Sequence, residues 1–189
     1  MEINNLIEEF INKEHHERVV GRYNSSELYN ILRGKLSPED LFKPNKIEGK
    51  GVGNVSTGIA SEDFLTKVFE ATKAECEPQV KKEIKLGDIV IVAKPDFVFK
   101  DFVLEVKCPV RYLDNIPPWY ETQCEAYHRA FKRQVYLGVI SHPFSVKTIK
   151  YVPNDELWEQ IKKVVKEFHL EVLAYLEAKK DEAKLSEIE

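Results

Sequence analysis

Residues 94–107 read KPDFVFKDFVLEVK, and the fold turns on how this stretch is placed. Val98, Phe99, Phe102, Val103, Leu104 and Val106 are apolar, several of them β-branched or aromatic, the kind of residue that fills strands. Lys100 and Asp101 interrupt them as the turn of a hairpin, which sets Asp96 near one end of it. Glu105 and Lys107 fall on the second strand, two positions apart, and so project from the same face. Eight residues separate Asp96 from Glu105, enough to cross a tight hairpin and bring the two carboxylates level. Two acids and an ammonium group then meet at one spot on a largely buried sheet. Burying such charges is costly unless they pair or bind a metal, so the spot reads as a site. Glu105 and Lys107 by themselves also fit an exposed pair on one strand, worth roughly a few tenths of a kcal/mol.

Downstream, Pro117-Pro118 stand at the entrance of a helix over about 118–132 that carries Gln123, Tyr127, Arg129, Lys132 and Arg133. Gln123 and Tyr127 are four apart, hence on one helical face. Strands follow at 134–140 and 146–151 around a Ser141-His142-Pro143 turn. Asn154 or Asp155 then caps a long terminal helix with Leu157, Ile161, Val164, Val165, Phe168, Val172 and Leu176 on its buried stripe. The charged tail from Lys179 is expected to fray. Upstream, the run IVIVA (89–93) leads into the hairpin, and Gly87-Asp88 separates it from a strand over 80–86. A helix from Thr57 to about Cys76 precedes these, with Ile59, Leu65, Val68, Phe69 and Thr72 at helical spacing and Glu62 near its start. An acid there also suits the helix dipole, with no further role required.

Residues 34–56, rich in Gly, Pro, Lys and Asn, read as a long loop. Within it GKGVGN (49–54) lacks the GK[ST] ending and the preceding strand of a phosphate loop. Tyr23-Asn24-Ser25-Ser26-Glu27-Leu28 opens a short helix capped by a serine, with Leu28, Ile31 and Leu32 on its face. Residues 2–17 read as a first helix, in which His15 and His16 point about 100° apart and read as solvated surface.

A chain of 189 residues fits one domain: a helical N-terminal segment and loop (1–56), a core (57–152) and a C-terminal helix (153–189). The net charge of −4 supplies no global basic field, so any nucleic-acid surface must be a local patch. No apolar run approaches the ~20 residues of a membrane span, and the first residues have no signal-peptide shape; a cytoplasmic, intracellular location is the expectation. Cys76, Cys108 and Cys124 form no CxxC pair and suit reduced thiols. Abundant Lys and Glu with a single Met lean towards a thermophilic source.

Together the motifs resemble the RecB-like branch of the PD-(D/E)xK nucleases, which includes the CRISPR-associated RecB-like exonucleases. Pro95-Asp96 and Glu105-Val106-Lys107 match the central motif, and Gln123-x-x-x-Tyr127 matches the branch's QxxxY signature. Gly58-x-x-x-Glu62 matches its first-helix motif with glutamate in place of histidine, and residues 23–28 resemble its Ser-rich opening. The family's four cluster-binding cysteines are absent, so no iron–sulfur cluster is expected. The resemblance implies an α/β fold with a restriction-endonuclease-like core, a central mixed β-sheet flanked by helices. It also implies a metal-dependent DNA nuclease.

Asp96 and Glu105 are hard oxygen ligands suited to Mg²⁺ or Mn²⁺. The Val106 carbonyl completes the coordination that the resemblance implies, with Glu62 as a third acid. A metal there lowers the pKa of bound water and polarises the phosphate, while protonated Lys107 orients the water or steadies developing charge. Gln123, Tyr127, Arg129 and Arg133 are the expected substrate-binding residues, on DNA single strands or ends. An exonuclease is the first reading. A non-catalytic nucleic-acid-binding adaptor and a structure-selective endonuclease or resolvase are the alternatives, with a second copy of the chain or nuclease and helicase proteins left open as partners.

Overall fold

The computed structural model describes residues 18–43, 50–109, 113–141 and 145–186. The expected helix over 2–17 with His15 and His16, residues 44–49, the stretch 110–112 and the His142-Pro143 turn lie outside them. The elements run β1 (Arg22–Asn24), a 3-10 turn (Ser25–Glu27), α1 (Leu28–Leu32), α2 (Pro38–Phe42), α3 (Lys50–Ala71), β2 (Cys76–Pro78), β3 (Lys82–Leu86), β4 (Ile89–Ala93), β5 (Phe97–Phe99), β6 (Phe102–Lys107), α4 (Pro118–Phe131), β7 (Gln134–Ser141), β8 (Ser145–Lys150) and α5 (Asp155–Ser186).

The strands form two mixed sheets, β1-β4-β3 and β2-β5-β6-β7-β8. The larger is the mixed sheet expected at the centre, and the smaller is an addition to it. Their junction is Lys94-Pro95-Asp96, between β4 and β5, where Pro95 has no N–H to give to a ladder. In the larger sheet β6 and β7 run parallel, joined through α4, and the other pairs are antiparallel. The hairpin forms as the sequence predicts, with Phe97 opposite Leu104, Val98 opposite Val103, and Lys100-Asp101 between the strands.

Alternation along β6 divides the core. Val103 faces α4, in a cluster with Cys124, Tyr127, Phe131, Val135 and Tyr151. Leu104 and Val106 face the opposite way with Phe97, against Leu65 and Phe69 of α3. A third cluster joins the smaller sheet to α1 and α5 through Tyr23, Leu28, Ile31, Ile91, Ile161, Val165, Phe168 and Val172. The larger sheet thus lies between α3 and α4, with Glu105 and Lys107 on its α4 side.

Several boundaries differ from the sequence reading. α3 starts at Lys50 rather than Thr57, carrying the helix through most of the GKGVGN stretch, and α2 forms within the expected loop. α2 is favoured locally: Ser37 caps it, accepting from the Asp40 N–H at 3.0 Å, and Pro38 occupies its first position. α3 ends at Ala71, which leaves Cys76–Pro78 free to pair as an edge strand with β5. Of the residues at helical spacing Ile59 is exposed, and the contact with the sheet runs through Leu65 and Phe69. The cap before α1 is Asn24, in a capping box with Glu27, and Ser25 is buried instead. Asn154 caps α5, its side chain accepting from the Leu157 N–H at 3.0 Å, and the helix continues past Lys179 to Ser186. Exposed Lys179–Glu182 and Lys184–Asp181 pairs at helical spacing accompany that continuation. Among the described residues no helix is long and apolar enough to cross a membrane.

Candidate active site

Asp96 is held where the two sheets divide. Its Oδ2 accepts the Val106 N–H at 2.6 Å, which brings its carboxylate level with Glu105 as the hairpin spacing predicts. Asp96 is 8% exposed and Glu105 2%. Glu105 Oε1 accepts from Gln123 Nε2 at 3.0 Å and pairs with the Lys107 ammonium. Lys107 also lies over the Tyr120 ring, 5.5 Å from its centroid, so α4 contacts both members of the strand pair.

Burial raises the pKa of both acids. Glu105 is pushed up to about 7 by desolvation and by Asp96, against the opposing charge of Lys107. Desolvation raises Asp96 as well, against its hydrogen bond from Val106 and the charge of Lys107. For Lys107, burial opposes the ammonium, but the charge and hydrogen bond of Glu105, with Asp96, outweigh it and raise the pKa. The lysine therefore stays protonated across the neutral range.

Glu62 arrives from α3 on the other side of Asp96. The link is Gln79, a residue outside every motif in the sequence. Its Nε2 lies 3.1 Å from Glu62 Oε2 and 3.3 Å from Asp96 Oδ1, and its backbone N–H donates to the Asp96 carbonyl at 2.9 Å. Gln79 has φ 54°, a conformation costly for a residue with a side chain. Nothing in Glu77-Pro78-Gln79 signals this role; only the pairing of Pro78 with Phe97 carries the next residue to Asp96. Desolvation, then Asp96, raises the pKa of Glu62. Cys108 Sγ donates to Ser61 Oγ at 3.0 Å, a further tie between α3 and the end of β6.

Gln123 and Tyr127 do share a face of α4, but they are buried, at 7% and 1% exposure. Gln123 Nε2 lies 2.6 Å from Tyr127 Oη, and Tyr127 Oη donates to the Lys94 carbonyl at 3.2 Å. Their contacts are with Glu105 and the backbone before Asp96, so they brace the acids rather than present themselves to a substrate. Arg129 and Arg133, expected at the substrate, are engaged elsewhere. Arg129 bonds Glu125 and Asp155, and Arg133 donates to the Phe99 carbonyl at 2.8 Å. Arg129 lies towards the far end of α4 from Tyr120, and Arg133, expected on the helix, falls past its end at Phe131 in the turn before β7. Periodicity along one helix does not show such partners.

The donor chemistry fits a divalent cation. Glu105 Oε2 is buried with no hydrogen-bond partner, an acceptor left open beside a second carboxylate. Burial raises the pKa of Asp96, Glu105 and Glu62, and the charge of Asp96 adds to the rise in Glu105 and Glu62, a penalty that a cation would relieve. Among the described residues no three His, Cys, Asp or Glu side chains close into a ready cage. Gln79 stands between Glu62 and Asp96, and Lys107 stands against Glu105. Two carboxylates with waters suffice for Mg²⁺, which rarely takes an all-protein cage.

No protein-family model matches the chain, and no curated protein matches it. Solved structures do. The crystal structure of SSO0001 has a TM-score of 0.67 at 18% identity, covering 90% of this chain and 86% of that one. The alkaline exonuclease LHK-Exo from Laribacter hongkongensis has a TM-score of 0.66 at 15% identity, covering 88% and 95%. A phage-related exonuclease from Haemophilus somnus 129PT has a TM-score of 0.59 at 15% identity, covering 89% and 99%. At these identities the likeness is one of fold: the mixed α/β, restriction-endonuclease-like nuclease fold.

Proposed function

We propose that the chain is a metal-dependent DNA nuclease that hydrolyses phosphodiester bonds, acting as an exonuclease on single strands or DNA ends. The observation that carries this reading is the open, buried Glu105 Oε2 beside Asp96, on a strand whose next residue on that face is the protonated Lys107. Asp96 and Glu105, with the Val106 carbonyl, would hold Mg²⁺ or Mn²⁺, with Glu62 as a third acid reached past Gln79. The ion supplies an acidified water and charge relief on the scissile phosphate. The chain's own residues do the rest. Lys107 keeps a positive charge next to the acids, placed to orient the attacking water or steady charge on the phosphate oxygens. Gln123 and Tyr127 fix Glu105 in place, so that its free oxygen points the same way from turnover to turnover.

Fold similarity to exonucleases supports the choice of DNA and of end-directed action. The competing reading is a nucleic-acid-binding adaptor on the same fold, and the intact Asp96, Glu105 and Lys107 set favours the enzyme. The test is degradation of end-labelled single- and double-stranded DNA with Mg²⁺, Mn²⁺ or chelator. Asp96→Ala, Glu105→Ala and Lys107→Ala are each expected to abolish cleavage with folding retained by circular dichroism, and Glu62→Ala to lower activity or change metal preference. A ladder from one end that needs metal and disappears in Glu105→Ala supports the exonuclease. Binding without cleavage under every condition supports the adaptor.

A further inference from the structure

The start of α4 carries a cluster of rings next to the acids. Pro117 caps the helix with φ −73° and ψ 156°, its carbonyl accepts from the N–H groups of Tyr120 and Glu121 at 2.8 and 3.0 Å, and Pro118 takes the first position. Trp119 is therefore presented from a stiff backbone, and it is 48% exposed. Tyr29 and Tyr120 meet its indole edge-on, with centroids 6.4 and 5.9 Å away and planes at 72° and 67°. Lys35 Nζ lies 5.8 Å from the Tyr29 ring, and Lys107 Nζ lies 5.5 Å from the Tyr120 ring. One series of contacts thus runs from Lys35 through three aromatic rings to Lys107 and Glu105. A single exposed aromatic residue is ordinary on a protein surface. A half-exposed indole braced by two tyrosines, bounded by two lysines and joined to the acids is not accounted for in that way.

We propose that Trp119 is a stacking platform for an unpaired nucleobase of a DNA strand whose phosphate lies at Lys107; this rests on the nuclease reading above. Every base has a π-face, so the platform grips a strand without reading its sequence, and the lysines match the phosphates on either side. Tyr29 and Tyr120 hold the indole, and the proline pair fixes its backbone before a strand arrives, which lowers the ordering cost of binding.

The test measures binding of a short, labelled single-stranded oligothymidylate in the Glu105→Ala chain with Mg²⁺ present, so that the strand survives. Adding Trp119→Ala is expected to weaken binding by roughly 5- to 150-fold, the range for loss of one base–aromatic stack, and Trp119→Phe to retain most of the affinity. An abasic strand should bind the chain that keeps Trp119 as weakly as oligothymidylate binds the alanine variant. With Trp158→Phe added, leaving Trp119 as the one indole, oligothymidylate should quench the emission and the abasic strand should not. Equal affinity with and without the Trp119→Ala substitution, equal binding of the abasic strand, or no binding at all overturns the platform. Metal-dependent cleavage by the chain with Glu105 intact is scored separately. Cleavage with an unchanged affinity in Trp119→Ala removes the platform and leaves the nuclease, and stacking without cleavage does the reverse.

Discussion

Among single residues, the acids, the lysine and the QxxxY pair are legible because each stands out against its surroundings. Charges in an apolar strand and two polar groups at helical spacing are local signals. Gln79 leaves none. It joins Glu62 to Asp96 only through the β2–β5 pairing, from a backbone conformation that disfavours any side chain. Gln79→Gly therefore separates two effects. Glycine relieves the positive φ, worth about 1–2 kcal/mol, which offsets only part of the stability lost with the two Gln79 Nε2 hydrogen bonds, so thermal stability should fall modestly with the fold kept. Metal-dependent cleavage should fall roughly 10- to 100-fold. Full activity in this variant would reduce the bridge to an incidental surface contact.

Of the elements, the hairpin, α4 and α5 are legible because hydrophobic alternation, a proline entrance and a long apolar stripe are properties of consecutive residues. β1 and the early start of α3 are not. A three-residue strand is too short for alternation to show, and β1 exists because it lies parallel to β4 in the sheet. Arg129, expected at a substrate, belongs instead to the joint between α4, β8 and α5. There Glu125, fully buried, accepts from Arg129 Nε at 2.6 Å and the Asn154 N–H at 3.0 Å, and also from the Tyr151 hydroxyl. Removing one partner of such a buried group leaves the others unsatisfied, at a cost of about 3–5 kcal/mol. Glu125→Ala should lose stability of that order in urea unfolding. Asp155→Ala, which removes an acid 90% exposed, should lose less than about 1 kcal/mol. Similar losses in both would remove Glu125 from the joint.

For the molecule as a whole, the burial that defines the site works against the fold. Glu105 has its pKa raised from an ordinary 4.5 to about 7, so the folded chain holds that proton more tightly than the unfolded chain does. The stability this confers is complete below pH 4.5 and is lost as pH rises through 7. At 1.36 kcal/mol per unit the loss is about 3 kcal/mol. With chelator present, wild-type stability should fall by up to that amount relative to Glu105→Gln between about pH 5 and 8. A constant difference across the range would mean that Glu105 is not desolvated as the structure has it. The order of residues alone is enough for the hairpin, the facing of Glu105 and Lys107, the alignment of Gln123 with Tyr127 and the fold class, because each follows from local spacing and the motifs it builds. It took the packed chain to show that Gln79 reaches Glu62 and Asp96, that Gln123 and Tyr127 are buried braces, and that Arg129 and Arg133 are engaged away from the acids. Those outcomes depend on which elements pack together, and partners distant in the chain leave no period in the sequence.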